Sequence, residues 1–215
     1  MTDRGVVRTV AGMNQTTARR AAGLAVLAAI GALVLPSAPA GATSTKKPVT
    51  GLVSVATDGN PGSSSSTGPS VSNGGRFVAF DSLSTNLISG DTNNQKDVFV
   101  RDTLAATTTR VSVSTGGTPG NGASDQASIS FNGRYVAFRS TSTNLVAGDT
   151  NNQADVFLRD LQKNTTVRVS VADGGSQLTG GGSSMPTVSG DGTEVLFMSD
   201  ATNAVPGDGN AKTDA

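Results

Sequence analysis

Residues 148–160 read GDTNNQADVFLRD and place oxygen-bearing side chains at every second position: Asp149, Asn151, Gln153 and Asp155. Residues 90–102, GDTNNQKDVFVRD, repeat the set as Asp91, Asn93, Gln95 and Asp97. A third copy keeps Asp208, Asn210 and Asp214 but has Lys212 in place of the glutamine. Alternating oxygens are how a chain wraps calcium, a hard cation that takes roughly six to eight oxygen ligands. The spacing resembles the front half of an EF-hand-type loop, without its central glycine and its later bidentate glutamate. Asp and Asn also close local turns by bonding side chain to backbone, and such groups can touch a substrate. Three readings therefore stand open at this loop: structural turn, weak calcium site and substrate contact.

Most other chemistry is excluded by composition. The chain has no histidine and no cysteine. That removes Ser-His-Asp and Cys-His nucleophiles, histidine-bound zinc and imidazole acid–base work. No Gly-x-Ser-x-Gly elbow and no phosphate-cradling loop ending in Lys-Ser/Thr occurs. The GGGSS run at Gly180 reads as a flexible loop. Paired carboxylates remain available as acid and base, yet Glu194, the sole glutamate, sits at a strand position equivalent to Phe77 and Tyr135. An enzyme built from this chain alone is not expected, and no cofactor other than calcium is implied.

The acidic loop belongs to a larger repeat of 58 residues. RVSVSTGG at Arg110 returns as RVSVADGG at Arg168, and GRFVAF at Gly75 returns as GRYVAF at Gly133 and as GTEVLF at Gly192. The last interval is 59, so one residue is inserted between Val171 and Pro186. A fixed period marks a supersecondary unit that buries its apolar side only by stacking on its neighbours. Each unit holds four short segments rich in Val, Ile, Phe, Tyr and Thr. In the second copy they are Ala127–Ser130, Arg134–Ser140, Asp155–Leu161 and Thr165–Val171. The last alternates, which predicts Val167, Val169 and Val171 on a buried face and Thr166, Arg168 and Ser170 outside. Asn132-Gly133 joins the first two strands as a hairpin turn, with Asn73-Gly74 and Asp191-Gly192 at the corresponding turns.

The fold class expected is all-β: β-propeller blades of four antiparallel strands, in about three repeats with the last incomplete. SISFNGRYVAF followed by ADVFLRDLQKNTTVRVS resembles the TolB-like, WD40-like (PD40-type) β-propeller repeats of secreted bacterial proteins, over residues 51–215. That resemblance implies the fold. It leaves function open, because the family hosts binding modules, accessory domains of peptidases and some lyases. Seven of the eight aromatics recur with the repeat and are expected in the core between blades. Repetition also marks Arg76, Arg134, Arg101-Asp102 and Arg159-Asp160 as ion pairs or hydrogen bonds between neighbouring strands.

Residues 1–42 read as a signal peptide. Arg4, Arg8, Arg19 and Arg20 precede an apolar run from Ala21 to Leu35, Pro36 ends it, and APAGA supplies small residues for cleavage after Ala40 or Ala42. Fifteen apolar residues are short for a span, so an uncleaved anchor is the lesser reading. Met13 is an alternative start, and Arg19-Arg20 raises twin-arginine export. Residues 43–50 form a linker, and the repeats run 51–109, 110–167 and 168–215. Without the leader the chain holds 12 basic and 15 acidic residues, a net of −3, which argues against nucleic acid. The address expected is periplasmic, cell-surface or extracellular, with no membrane contact after cleavage.

In a meander every second connection emerges on the same side. The acidic loops therefore share a face with the long connections between blades, and the tight turns share the other. Binding residues concentrate on long loops over a rigid scaffold, so a protein or glycan partner is expected at the long-loop face. Alternatives are the propeller portion of a larger secreted hydrolase or lyase, and a calcium-stabilised surface or adhesion repeat. The third copy stops one residue after the position matching Asp155. The expectation there is a fragment or truncated reading frame, or an open arc that self-associates through its sheet edges.

Overall fold

Runs of β-branched and aromatic residues bounded by Gly-rich turns fold into strands throughout, with no α-helix among the described residues. The structure, a computed structural model, describes residues 6–9, 50–206 and 212–214, with the backbone alone at 6–9. The chain divides into two compact units, Met1–Gly12 with Leu52–Ala215, and Met13–Gly51. Nearly all of the second unit lies outside the described residues, and with it the expected apolar run, cleavage sites and linker. Asp208 and Asn210 also lie outside them.

The strands are β1 (Val6–Thr9), β2 (Ser66–Val71), β3 (Phe77–Ser82), β4 (Asp97–Asp102), β5 (Thr107–Arg110), β6 (Ser124–Ile129), β7 (Tyr135–Ser140), β8 (Asp155–Asp160), β9 (Thr165–Arg168), β10 (Ser183–Val188) and β11 (Glu194–Ser199). They form two four-stranded antiparallel meanders, β2-β3-β4-β5 and β6-β7-β8-β9, and a third sheet ordered β1-β11-β10. These are propeller blades, the first two each written by one repeat, the third by the last repeat together with β1. In the third, Val6 lies opposite Phe197 and Thr9 opposite Glu194. β4 takes the same places on β3, with Phe99 opposite Phe80 and Asp102 opposite Phe77. Residues 6–9, within the expected leader, thus stand in the third-strand position of that sheet. Asp214 pairs with Ser199, as Asp97 pairs with Ser82 and Asp155 with Ser140.

Two local expectations need correction. The first strand of the second blade begins at Ser124 rather than Ala127. A β-bulge hides its first half from a period-two reading, because the register shifts between Asp125 and Ser128 and Gln126 has φ of 55°. Gly68 and Met185 occupy the same bulge in the other blades, with φ of 59° and 51°. The outermost strand is also reversed. Val167 is 39% exposed and Thr166 only 4%. The Thr166 hydroxyl donates to Val113 O at 2.6 Å and accepts from Arg159 Nη1 at 3.1 Å, so the inward side of β9 is polar. Val169 is buried, but only after the chain has left the sheet at Arg168.

The core lies between blades. Ala79, Val98, Val100 and Val111 of the first pack on Ile129, Val136, Phe138, Leu145 and Phe157 of the second. Phe138 stacks on Phe157 with centroids 5.8 Å apart, and Phe80 on Phe99 at 5.9 Å. Of the repeat-locked aromatics, Phe77 alone is half-buried; the other six are buried.

Phe77 makes the lock between blades instead. Its ring lies against Gly133, the hairpin glycine of the next blade, so closely that a Cβ there would come within 2.1 Å of a ring carbon. Tyr135 lies against Gly192 in the same way. Gly133 also has φ of +72°, so alanine there meets both the ring and a left-handed backbone. Gly133→Ala should lower the free energy of unfolding by about 2–4 kcal/mol, from overpacking together with backbone strain. Gly117, at φ of +84° with open space around its missing Cβ, carries the strain alone. Gly117→Ala should cost about 1 kcal/mol. Urea unfolding midpoints of the two variants check the difference, and equal shifts would show that the ring contact contributes nothing.

On the short-turn side the expected ion pairs are present. Arg76 pairs with Asp102 at 2.8 Å and Arg134 with Asp160 at 2.7 Å, each guanidinium lying 4.7–4.8 Å from the centroid of the aromatic ring that follows it. The hydrogen bond from Arg76 holds the Asp102 carboxyl down at about 2, helped by the N–H groups of Ala105 and Leu104. Arg101 and Arg159 differ. They are buried, and the hydrogen bonds they make run to neutral oxygens: Ala56 O and Thr108 Oγ1 for one, Ser114 O, Asn164 O and Thr166 Oγ1 for the other.

Candidate functional site

The long connections do share one face. Loop 83–96 leans on connection 52–65 through Asn86, which accepts from Ser63 N at 2.8 Å and donates to Pro61 O at 2.9 Å. Asn144 makes the same clamp one repeat on, accepting from Asn121 N and donating to Pro119 O. Asn203 makes it again with Thr179 N and Gln177 O. Matching bonds place the inserted residue of the third copy between Leu178 and Ser183, since Leu178 still corresponds to Gly120 at 58 and Ser183 to Ser124 at 59. The asparagines belong to a recurring run, STNL in the first two copies and ATNA in the third, and only their recurrence marks them in the sequence.

The alternating oxygens of the acidic loop come together, but around a cation the chain itself supplies. Arg110 Nη1 lies 3.0 Å from Asp91 Oδ1 and 3.1 Å from Asp97 Oδ2. Asn93 Nδ2 also donates to Asp97 Oδ2 at 3.0 Å and to Gly120 O at 3.0 Å, while its Oδ1 accepts from Gln95 N at 3.0 Å. Ser112 donates to Asp97 Oδ1 at 2.5 Å and accepts from Val98 N at 3.1 Å. The second blade repeats the set. Arg168 Nη1 lies 3.3 Å from Asp149 and 3.4 Å from Asp155, Ser170 donates to Asp155 at 2.6 Å, and Asn151 donates to Leu178 O at 3.1 Å. Gln177 then adds a donor to Asp149 at 3.0 Å.

The carboxylates of this loop are engaged by groups of the chain itself. Asp97 is met by a guanidinium, an amide N–H and a hydroxyl, and Asn93 turns its nitrogen toward the carboxylate. Among the described residues no three Asp or Glu side chains gather as a cage. The geometry is that of a hydrogen-bonded turn with an internal counter-ion. Burial pushes the Asp91 carboxyl up despite the charge of Arg110, and burial followed by the charge of Asp155 pushes Asp149 up.

Beside each acidic loop runs a groove, about 850 Å³ in the first blade and 400 Å³ in the second. The linings correspond residue by residue at the repeat interval: Ala56 with Ser114, Thr57 with Thr115, Asn86 with Asn144, Ile88 with Val146, Ser89 with Ala147, Thr108 with Thr166. Hydroxyl and amide side chains make up half of each lining, together with Leu87 or Leu145. The sequence pointed to this face but to none of these grooves, because each is formed by three segments far apart in the chain.

No protein-family model and no curated protein matches the chain. Among the described residues no helix is long and apolar enough to cross a membrane. In solved structures the chain is similar to a putative TolB from Agrobacterium tumefaciens, at 20% identity and a TM-score of 0.42, covering 63% of this chain and 38% of that one. It is also similar to TolB from Acinetobacter baumannii, at 16% identity and a TM-score of 0.40, covering 70% of this chain and 32% of that one. The chain therefore spans about a third of the length of either TolB structure.

Proposed function

We propose that the chain is an exported, non-enzymatic binding module that takes an extended polar ligand, a protein segment or a glycan, across its long-loop face. The observation that supports this reading is the recurrence of one hydroxyl- and amide-lined groove at the repeat interval in consecutive blades. A ligand with a repeating polar outline would meet the same groups twice, and two modest contacts on one rigid scaffold add in effect. The acidic loops adjoin these grooves, and Asp91 lines the first, held by Arg110. Their part is to fix the loop so that Ser89 and Ala147, both exposed, keep their places.

The test uses the full chain immobilised against arrays of glycans and of envelope-protein peptides. Ser89→Arg and Ala147→Arg put a long cationic side chain into each groove without touching the core. Each should weaken binding of a ligand found on the arrays by about tenfold or more, with the melting temperature unchanged. Binding equal to wild type in the double variant would refute the groove as the site.

A further inference from the structure

A buried charge is costly unless an opposite charge meets it. Arg76, Arg110, Arg134, Arg139 and Arg168 each hold an aspartate within 3.3 Å. Arg159, only 6% exposed, holds none among the described residues. Its Nη1 donates instead to Ser114 O at 3.2 Å, Thr166 Oγ1 at 3.1 Å and Asn164 O at 2.9 Å. Ser114 and Thr166 both line the groove of the second blade. The guanidinium therefore stands one hydrogen bond behind the wall of that groove. Burial pulls its pKa below the ordinary arginine value, against the opposing charge of Asp160 beside it. Asp160 itself is held by Arg134 at 2.7 Å.

No acidic residue of the described chain lines this groove. The first groove differs. Arg101 stands behind it in the same way, through Ala56 O and Thr108 Oγ1, but Asp58 and Asp91 are in its lining. Gly116 takes the place of Asp58 in the second. The segments around the second groove lie within the chain, and their blade is bonded to a sheet on either side, Ile129 N to Ser70 and Val188 N to Ser128. Resting on the groove as the binding site, we propose that the second groove seats a carboxylate and that the ligand is an acidic protein segment. An anion there faces the guanidinium out of bulk water, where attraction is only weakly screened. No aromatic ring lines either groove to stack on a sugar. An extended chain turns every second side chain the same way, so a glutamate can enter the groove while its neighbours follow the loop face.

The probe is an array of short glycine–serine peptides with glutamate, glutamine or lysine at the centre, read with the labelled full chain. Glutamate peptides should retain about tenfold more of it than either of the others. Arg159→Met would strip buried oxygens of their donor, so the variants are made at Ala147, which is exposed on the groove. Ala147→Glu should abolish the preference for glutamate. Ala147→Gln, alike in size, should lower retention on every peptide and keep the preference. Ala147→Trp fills the groove without charge and should remove binding. Wild-type retention by Ala147→Trp would overturn the groove as the site. Binding lost in Ala147→Trp, with no glutamate preference in the wild type, would overturn the carboxylate alone. So would a preference that survives in Ala147→Glu, or no retention on glutamate peptides. Glucuronate oligomers on the same array decide the source of the carboxylate: their retention in place of the glutamate peptides would overturn the protein segment.

Discussion

Phe138→Ala should lower the free energy of unfolding by about 3–5 kcal/mol. The ring is fully buried, stacked on Phe157 and packed among Ala79, Val98, Val100, Ile129 and Leu145. Those neighbours come from two different blades, so deleting the ring opens a cavity at the seam and not within a sheet. Strand hydrogen bonding cannot compensate, because both blades keep their ladders. The surrounding valines are β-branched and held in place by those ladders, so they collapse little into the space. Phe131→Ala is the comparison. That side chain is 68% exposed, and its loss should stay within about 1 kcal/mol. Denaturant unfolding monitored by circular dichroism checks both. A Phe138→Ala loss well under about 1 kcal/mol would place the stability of the chain in isolated sheets.

The fold was legible because two signals agreed. The interval of 58 fixed the unit, and period-two runs between Gly-rich turns fixed its strands. What escaped were a bulge and tertiary contacts that leave no local pattern. The bulge at Gly68, Gln126 and Met185 breaks alternation, so the first strand looked shorter than it is. Thr166 faces inward because a buried Arg159 and a carbonyl from the preceding connection need its hydroxyl, and neither lies within its own strand. Gly133 read as a turn glycine, which it is, but the ring of Phe77 against it comes from the neighbouring blade. The acidic loop is the sharpest case. Its oxygens alternate as calcium ligands do, and the sequence alone left turn, metal and substrate open. The residue that meets these carboxylates is Arg110, 19 positions beyond Asp91, inside a run that reads only as strand. The available signal was joint recurrence, since the Arg-Val-Ser-Val run returns whenever the acidic loop is followed by a fourth strand.

That arginine sets the second large effect. Arg110→Met should destabilise the chain by about 3–5 kcal/mol, although methionine retains most of the stem. Removing the guanidinium leaves Asp91 and Asp97, both almost without solvent contact, facing each other with no cation between them. A carboxylate left buried and unpaired costs far more than the pair contributes by being made. Asp91→Asn in the Arg110→Met background should therefore recover a large part of the loss, because it removes one of the opposed charges while keeping the shape. The same Asp91→Asn change alone should destabilise, and the opposite signs of its two effects form the coupling that a double-mutant cycle measures. Calcium separates the two accounts of the loop. With the guanidinium already seated on both carboxylates, millimolar calcium or a chelator should leave the melting temperature of the wild-type chain unchanged. A chelator-sensitive wild type would mean that the cation of this loop is a metal, and that Arg110 yields its place on Asp91 and Asp97 to the ion.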